Sequence, residues 1–220
     1  MGCNIQVTGS ITINSGTFDA STANRAIYIS GNWDNTGGTF TPRNGTVIFQ
    51  ATSGTQTISK TSPPETFANV IKQNAGTATV NSSIALTGNM TITGGTLDGG
   101  STSSTIFVNG NWSRTAGTFS GGNGTVNMIN TGTRTLTAIG GETYNNFVMN
   151  KTAGGSVTLG SAITCTGTFT LTAGTFDVST SNHSVTIAGN TAFNATLNSR
   201  SGNFTFNRAS GLQLVTATVA

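Results

Sequence analysis

Charge is scarce in this chain: nine lysines and arginines and six acids in 220 residues, or 7%, against roughly 25% in an average soluble domain. Solubility must therefore come from hydroxyls and amides. The cations Arg25, Arg43, Lys60, Lys72, Arg114, Arg134, Lys151, Arg200 and Arg208 are dispersed. A surface that tracks phosphates needs them clustered, so nucleic acid is not an expected partner. Each reads as a single solvated charge. Histidine occurs once, at His183, and cysteine twice, at Cys3 and Cys165, with no Cys-x-x-Cys pair. That set offers no metal-ligand spacing, and neither a metal nor a cofactor is expected. Apolar runs never reach the ~18–20 residues of a membrane helix, so no membrane span is expected. A basic, hydrophobic leader is also missing. The chain reads as a mature segment or a piece of a longer array.

Present in abundance are Thr, Ser, Asn and Gly, arranged in repeats. Gly16-Thr17-Phe18-Asp19 recurs as Gly95-Thr96-Leu97-Asp98 and Gly174-Thr175-Phe176-Asp177, at a constant step of 79. Gly31-Asn32-Trp33 recurs as Gly110-Asn111-Trp112, and Asn44-Gly45-Thr46-Val47 as Asn123-Gly124-Thr125-Val126. Residues 1–220 read as one domain of three units, 4–82, 83–161 and 162–220, the last incomplete. Within the units, runs such as Ile11-Thr12-Ile13, Ile27-Tyr28-Ile29 and Val185-Thr186-Ile187 alternate with period two and end in Gly, Asn or Ser. That is the signature of short strands and turns. A finer step of 22, as from Gly16 to Gly38 and Gly95 to Gly117, predicts about four coils per unit, with three larger coils as the other division. The expected fold is all-β: a parallel β-helix, or β-solenoid, of roughly eleven coils and about 50 Å at ~4.8 Å per coil. An antiparallel β-sandwich of repeats is the alternative, favoured by the hairpin dipeptides Asn44-Gly45 and Asn123-Gly124.

The Gly-Thr-Phe-Asp, Gly-Asn-Trp and Asn-Gly-Thr-Val pattern resembles the repeats of bacterial secreted and cell-surface β-solenoid proteins of the adhesin and autotransporter-passenger kind. The resemblance implies a right-handed parallel β-helix, an extracellular or cell-surface location in a prokaryote, and a structural or adhesive role.

Sequence position also predicts which residues meet a partner. Ile5 and Val7 begin the strand pattern with no polar cap, and Leu212, Leu214, Val215 and Val219 lie in an apolar strand at the other end. A solenoid end is an open sheet edge. These residues, with Cys3, are the expected assembly interface, and copies of the chain joined head to tail the expected partners. Cys3 corresponds to Ser82 and Ser161 and could stay free or cross-link. Cys165 replaces Val7 and Leu86 and is expected inside, as a small hydrophobe. The function expected is a structural subunit of an extracellular filament or surface layer. A cell-surface adhesin or glycan-binding module is the alternative, using Trp33, Trp112, Tyr28 and Tyr144 if they are exposed, although repeat-equivalent tryptophans favour packing. A polysaccharide lyase or hydrolase comes third. It needs converging carboxylates, whereas Asp19, Asp98 and Asp177 are expected four coils apart. Glu65 and Glu142, also equivalents, are expected to accept hydrogen bonds from turn amides. No catalytic residue is assigned and no enzyme is expected.

Overall fold

Alternating Thr and β-branched or aromatic residues favour a pleated surface with one face inside. In a computed structural model that describes residues 3–100, 104–152 and 154–218, these runs form thirty strands and no helix. Strands pair in parallel with the one three places further along the chain, except after Thr39–Thr41 and after Thr118–Ser120, where a face breaks, so three strands make one turn. This is a parallel β-solenoid. Its first face is an unbroken ten-stranded sheet running from Ile5–Val7 to Thr196–Asn198. The second face is a six-stranded sheet, from Ile11–Ile13 to Thr118–Ser120, then a four-stranded sheet, from Glu142–Tyr144 to Phe204–Phe206. The third pairs Thr17–Asp19 with Thr39–Thr41, then continues as an eight-stranded sheet from Glu65–Phe67 to Val215–Ala217.

Stacked inward rows form the core. On the first face Ile27, Val47, Val70, Met90, Trp112, Leu136 and Leu159 lie in register, all of them buried. Every side chain meets a comparable one above and below, which is what parallel stacking of similar turns delivers. The Gly-Asn-Trp corners show why glycine is required there. A Cβ on Gly31 would sit 2.4 Å from the Gly9 carbonyl carbon, and one on Gly110 the same distance from that of Gly88. Only backbone without a side chain can approach so closely. The Asn-Gly dipeptides make corners rather than hairpins. Gly45 donates its N–H to the Pro42 carbonyl (2.9 Å) and Gly124 to that of Gly121 (3.0 Å), and each turn leads into a strand of the next face.

The turns are uneven. A short one carries Val157 round to its partner Phe176, and a long one carries Trp112 round to Leu136. Ten strands on the unbroken face make ten turns, one fewer than the spacing predicts. The discrepancy lies in what repeats. Thr17–Asp19, Thr96–Asp98 and Thr175–Asp177 are the third, fourteenth and twenty-fifth strands. The long sequence unit is therefore eleven strands, or three and two-thirds turns. Successive units put the same motif on a different face: the third, then the second, then the first. Asp19, Asp98 and Asp177 consequently do not form one row, as equal four-coil units would require. Each closes its own corner, accepting an N–H from Ser21 (2.8 Å), Gly100 (2.9 Å) or Ser179 (2.8 Å).

Candidate functional site

Three features stand apart from the regular stack: its two ends, two buried carboxylate niches, and two buried lysines. At the lower end, strands Ile5–Val7, Ile11–Ile13 and Thr17–Asp19 have a partner on one side only. They surround an open concavity of about 590 Å³ whose apolar lining is Val7, Ile11, Ile13 and Phe18. Ile5 and Val7 are half-buried, and Cys3 is an exposed free thiol. At the upper end Leu212 is 94% exposed, Leu214 59% and Val215 45%. The segment that presents them is pinned rather than loose. Arg208 donates to the Leu212 carbonyl (2.7 Å) and to Asn190 Oδ1 (2.9 Å), and Gln213 Nε2 donates to the carbonyls of Ile187 (3.0 Å) and Gly189 (2.7 Å). Val219 lies outside the described residues. The fold places Cys3, Ile5 and Val7 at one end of the stack and Leu212, Leu214 and Val215 at the other, so they can meet only between molecules.

The niches sit where the second and third faces break. Glu65 opens the eight-stranded sheet and Glu142 the four-stranded one. Both carboxylates are buried. Glu65 accepts from Trp33 Nε1 (2.9 Å), Asn35 Nδ2 (2.7 Å), Lys60 Nζ (3.2 Å) and the Thr66 N–H (3.2 Å). Glu142 accepts from Trp112 Nε1 (3.1 Å), Arg114 Nε (3.1 Å) and the Thr143 N–H (3.3 Å). Each carboxylate thus accepts from one backbone amide, and an indole and a cation supply donors beyond those expected. A buried carboxylate needs such donors because desolvation disfavours its charge. Burial still raises the Glu142 carboxyl above its ordinary pKa, against the opposing pull of Trp112 and Arg114. Tyr144, beside it, is fully buried with no partner for its hydroxyl among the described residues, and burial raises its pKa well above the ordinary phenol value.

Lys72 and Lys151 correct the expectation of solvated single charges. Both are completely buried, but in different settings: the register position of Lys72 is filled one long unit later by Met149, and Lys151 directly follows the strand Asn146–Asn150. Lys72 lies in an inward row between Phe49 and Ile92, and its ammonium donates to the carbonyls of Gln73 (2.6 Å) and Asn74 (3.0 Å). Lys151 donates to the Ile129 carbonyl (2.7 Å). Burial lowers each pKa to about 8. Trp33, Trp112 and Tyr144 are also fully enclosed, so they offer no platform for a sugar ring. Cys165 is buried between Tyr144 and Ile187, and burial pushes its thiol pKa up to about 11.

Parity in the sequence could have revealed the niches. Glu65 shares the inward parity of Phe67, and Glu142 that of Tyr144, while Trp33-x-Asn35 and Trp112-x-Arg114 place the donors on one side of a strand. The carboxylates tie neighbouring turns together through these donors. Among the described residues no three of His, Cys, Asp and Glu gather as a metal site would require. No helix among them is long and apolar enough to cross a membrane. The class defined here is a parallel β-solenoid repeat protein. No protein-family model, curated protein or solved structure matches the chain.

Proposed function

We infer that this chain is a structural subunit of a prokaryotic extracellular filament or surface layer, joined head to tail through the ends of its solenoid. The supporting observation is the exposed apolar surface at the two ends of the described stack. Three half-paired strands surround an apolar concavity at one end of the stack, and Leu212, Leu214 and Val215 are exposed in the last turn at the other end. Apolar side chains and free strand edges gain from being covered by a like surface. Because the two ends differ, the contact is heterologous and propagates instead of closing on a dimer. The near absence of charge removes the repulsion that would keep copies apart. The extracellular and prokaryotic elements rest on the repeat resemblance alone.

Negative-stain microscopy across a concentration series tests the proposal. Fibres should lengthen with concentration, and Leu212→Asp with Leu214→Asp should shorten them. Uniform particles of ten turns at every concentration would refute it.

A further inference from the structure

Outward positions of the three faces are mostly Thr, Ser or Asn. The rows Thr55–Thr77–Thr96–Thr118 and Thr133–Ser156–Thr175–Thr196 are examples. Two strips break that rule. On the first face Tyr28, Ile48 and Ile71 stack in register, between Gln6 below and Thr91 above. On the third face Phe107, Asn127 and Val148 do the same, between Ala85 and Thr170. The strips are equivalents, eleven strands apart. Their side chains are half-exposed except for Ile48, which its neighbours largely cover. Asn127 Oδ1 is enclosed within its strip and accepts no hydrogen bond from the described residues.

We propose that these strips are a lateral interface between copies of this chain, with the Tyr28 strip of one copy packing on the Phe107 strip of the next. Stacking on one another covers these outward side chains only in part, and a partner would remove the remaining apolar surface from water. Three features favour this same chain as the partner. Every copy carries both strips on different faces, so the contact repeats without closing. Both molecules have the same ~4.8 Å rung spacing, so side chains can interdigitate over successive rungs. The flanking rows, Thr46 and Asn69 on one strip and Thr125 and Asn146 on the other, are neutral, as suits a chain that is 7% charged. With parallel axes, neighbours are offset by three and two-thirds turns, roughly 18 Å. A strip covers on the order of 200 Å², well under the ~800 Å² per partner of a stable pair. Its contact is accordingly weak per copy and gains strength in an array.

The inference adds side-by-side packing to the proposed filament, and the two are tested separately. In a Cys3→Ser background, Tyr28→Cys and Phe107→Cys proteins are mixed at high concentration and treated with a short bismaleimide. Cys165 is buried and stays silent. The mixture should yield several-fold more covalent dimer than either variant alone, or than a control pair of Thr77→Cys with Thr175→Cys. Equal yields from all pairs would overturn the interface. Loss of binding to a glycan array in Tyr28→Ala, with no excess of mixed dimer, would also overturn it and identify the strip as a carbohydrate platform. Fibre length in the same samples reports end-to-end joining independently.

Discussion

Around Glu65 the positive charge comes from Lys60, which pairs in register with Asn35 one turn below. Around Glu142 it comes from Arg114, which stands where Asn35 stands and pairs in register with Ala138. The cation has moved by one rung while indole and carboxylate have kept their places. What the break demands is one buried acid, one indole donor and one cation within reach, and the strand that bears the cation is free to vary. The consequences differ nonetheless. Arginine has five donors to lysine's three, and Arg114 spends them on the carbonyls of Gly117 (3.1 Å), Ile139 (3.0 Å) and Gly141 as well as on Glu142. It ties the Ile139–Gly141 loop to the wall. The Lys60 ammonium donates to Glu65, and Pro63 and Pro64 fill the matching loop.

The sharpest way to break this comparison is to remove each acid. Glu65→Ala leaves the buried Trp33 and Asn35 donors unpaired and Lys60 without its counter-charge. It should cost about 3–5 kcal/mol in urea unfolding. Glu142→Ala should cost less, about 2–3 kcal/mol, because Arg114 keeps three carbonyls. Equal or reversed losses would show that donor count does not set the difference. A transplant sharpens it further. Asn35→Arg in a Lys60→Ala background rebuilds the second niche inside the first. It should recover at least about 1 kcal/mol relative to Lys60→Ala alone, a non-additivity expected of groups sharing one partner.

The smallest expected effect concerns the lysines. Their folded-state pKa of about 8 lies below the ordinary 10.5. Their contribution to stability is therefore complete above pH 10.5 and is lost as pH falls through 8. Cys165 runs the other way: with its pKa raised from 9.0 to about 11, stability is complete below 9 and is lost as pH rises toward 11. Between pH 8 and 9 the lysines dominate, and stability should rise by up to about 1 kcal/mol per pH unit for each. Lys72→Met should roughly halve that slope, leaving the share of Lys151. An unchanged slope in the variant would mean that the ammonium is not the titrating group.

Much of the fold was legible in the sequence because strand parity and turn residues are local. Thr-x-Ile runs ended by Gly or Asn marked the strands, the recurrence of Gly-Thr-Phe-Asp marked the array, and Cys165 was placed inside by its equivalence to Val7 and Leu86. The number of turns per unit was not legible. A sequence repeat counts strands, whereas the coil closes only when three of them have gone round. Turns as unequal as Val157 to Phe176 and Trp112 to Leu136 disguise the remainder of two strands. That remainder put Asp19, Asp98 and Asp177 on three faces. The buried charges were hidden for a different reason. Lys72 follows the inward parity of Val70, yet its long stem lets the ammonium reach corner carbonyls, and no local pattern announces that.

Diffraction from aligned fibres would test the assembly most directly. Turns stacked along the fibre axis and continued through each joint predict a sharp meridional reflection near ~4.8 Å, from fibres that form at rising protein concentration. Particles that stay ten turns long under every condition, or fibres whose rung-spacing reflection lies on the equator, would contradict a filament built by piling one solenoid on the next.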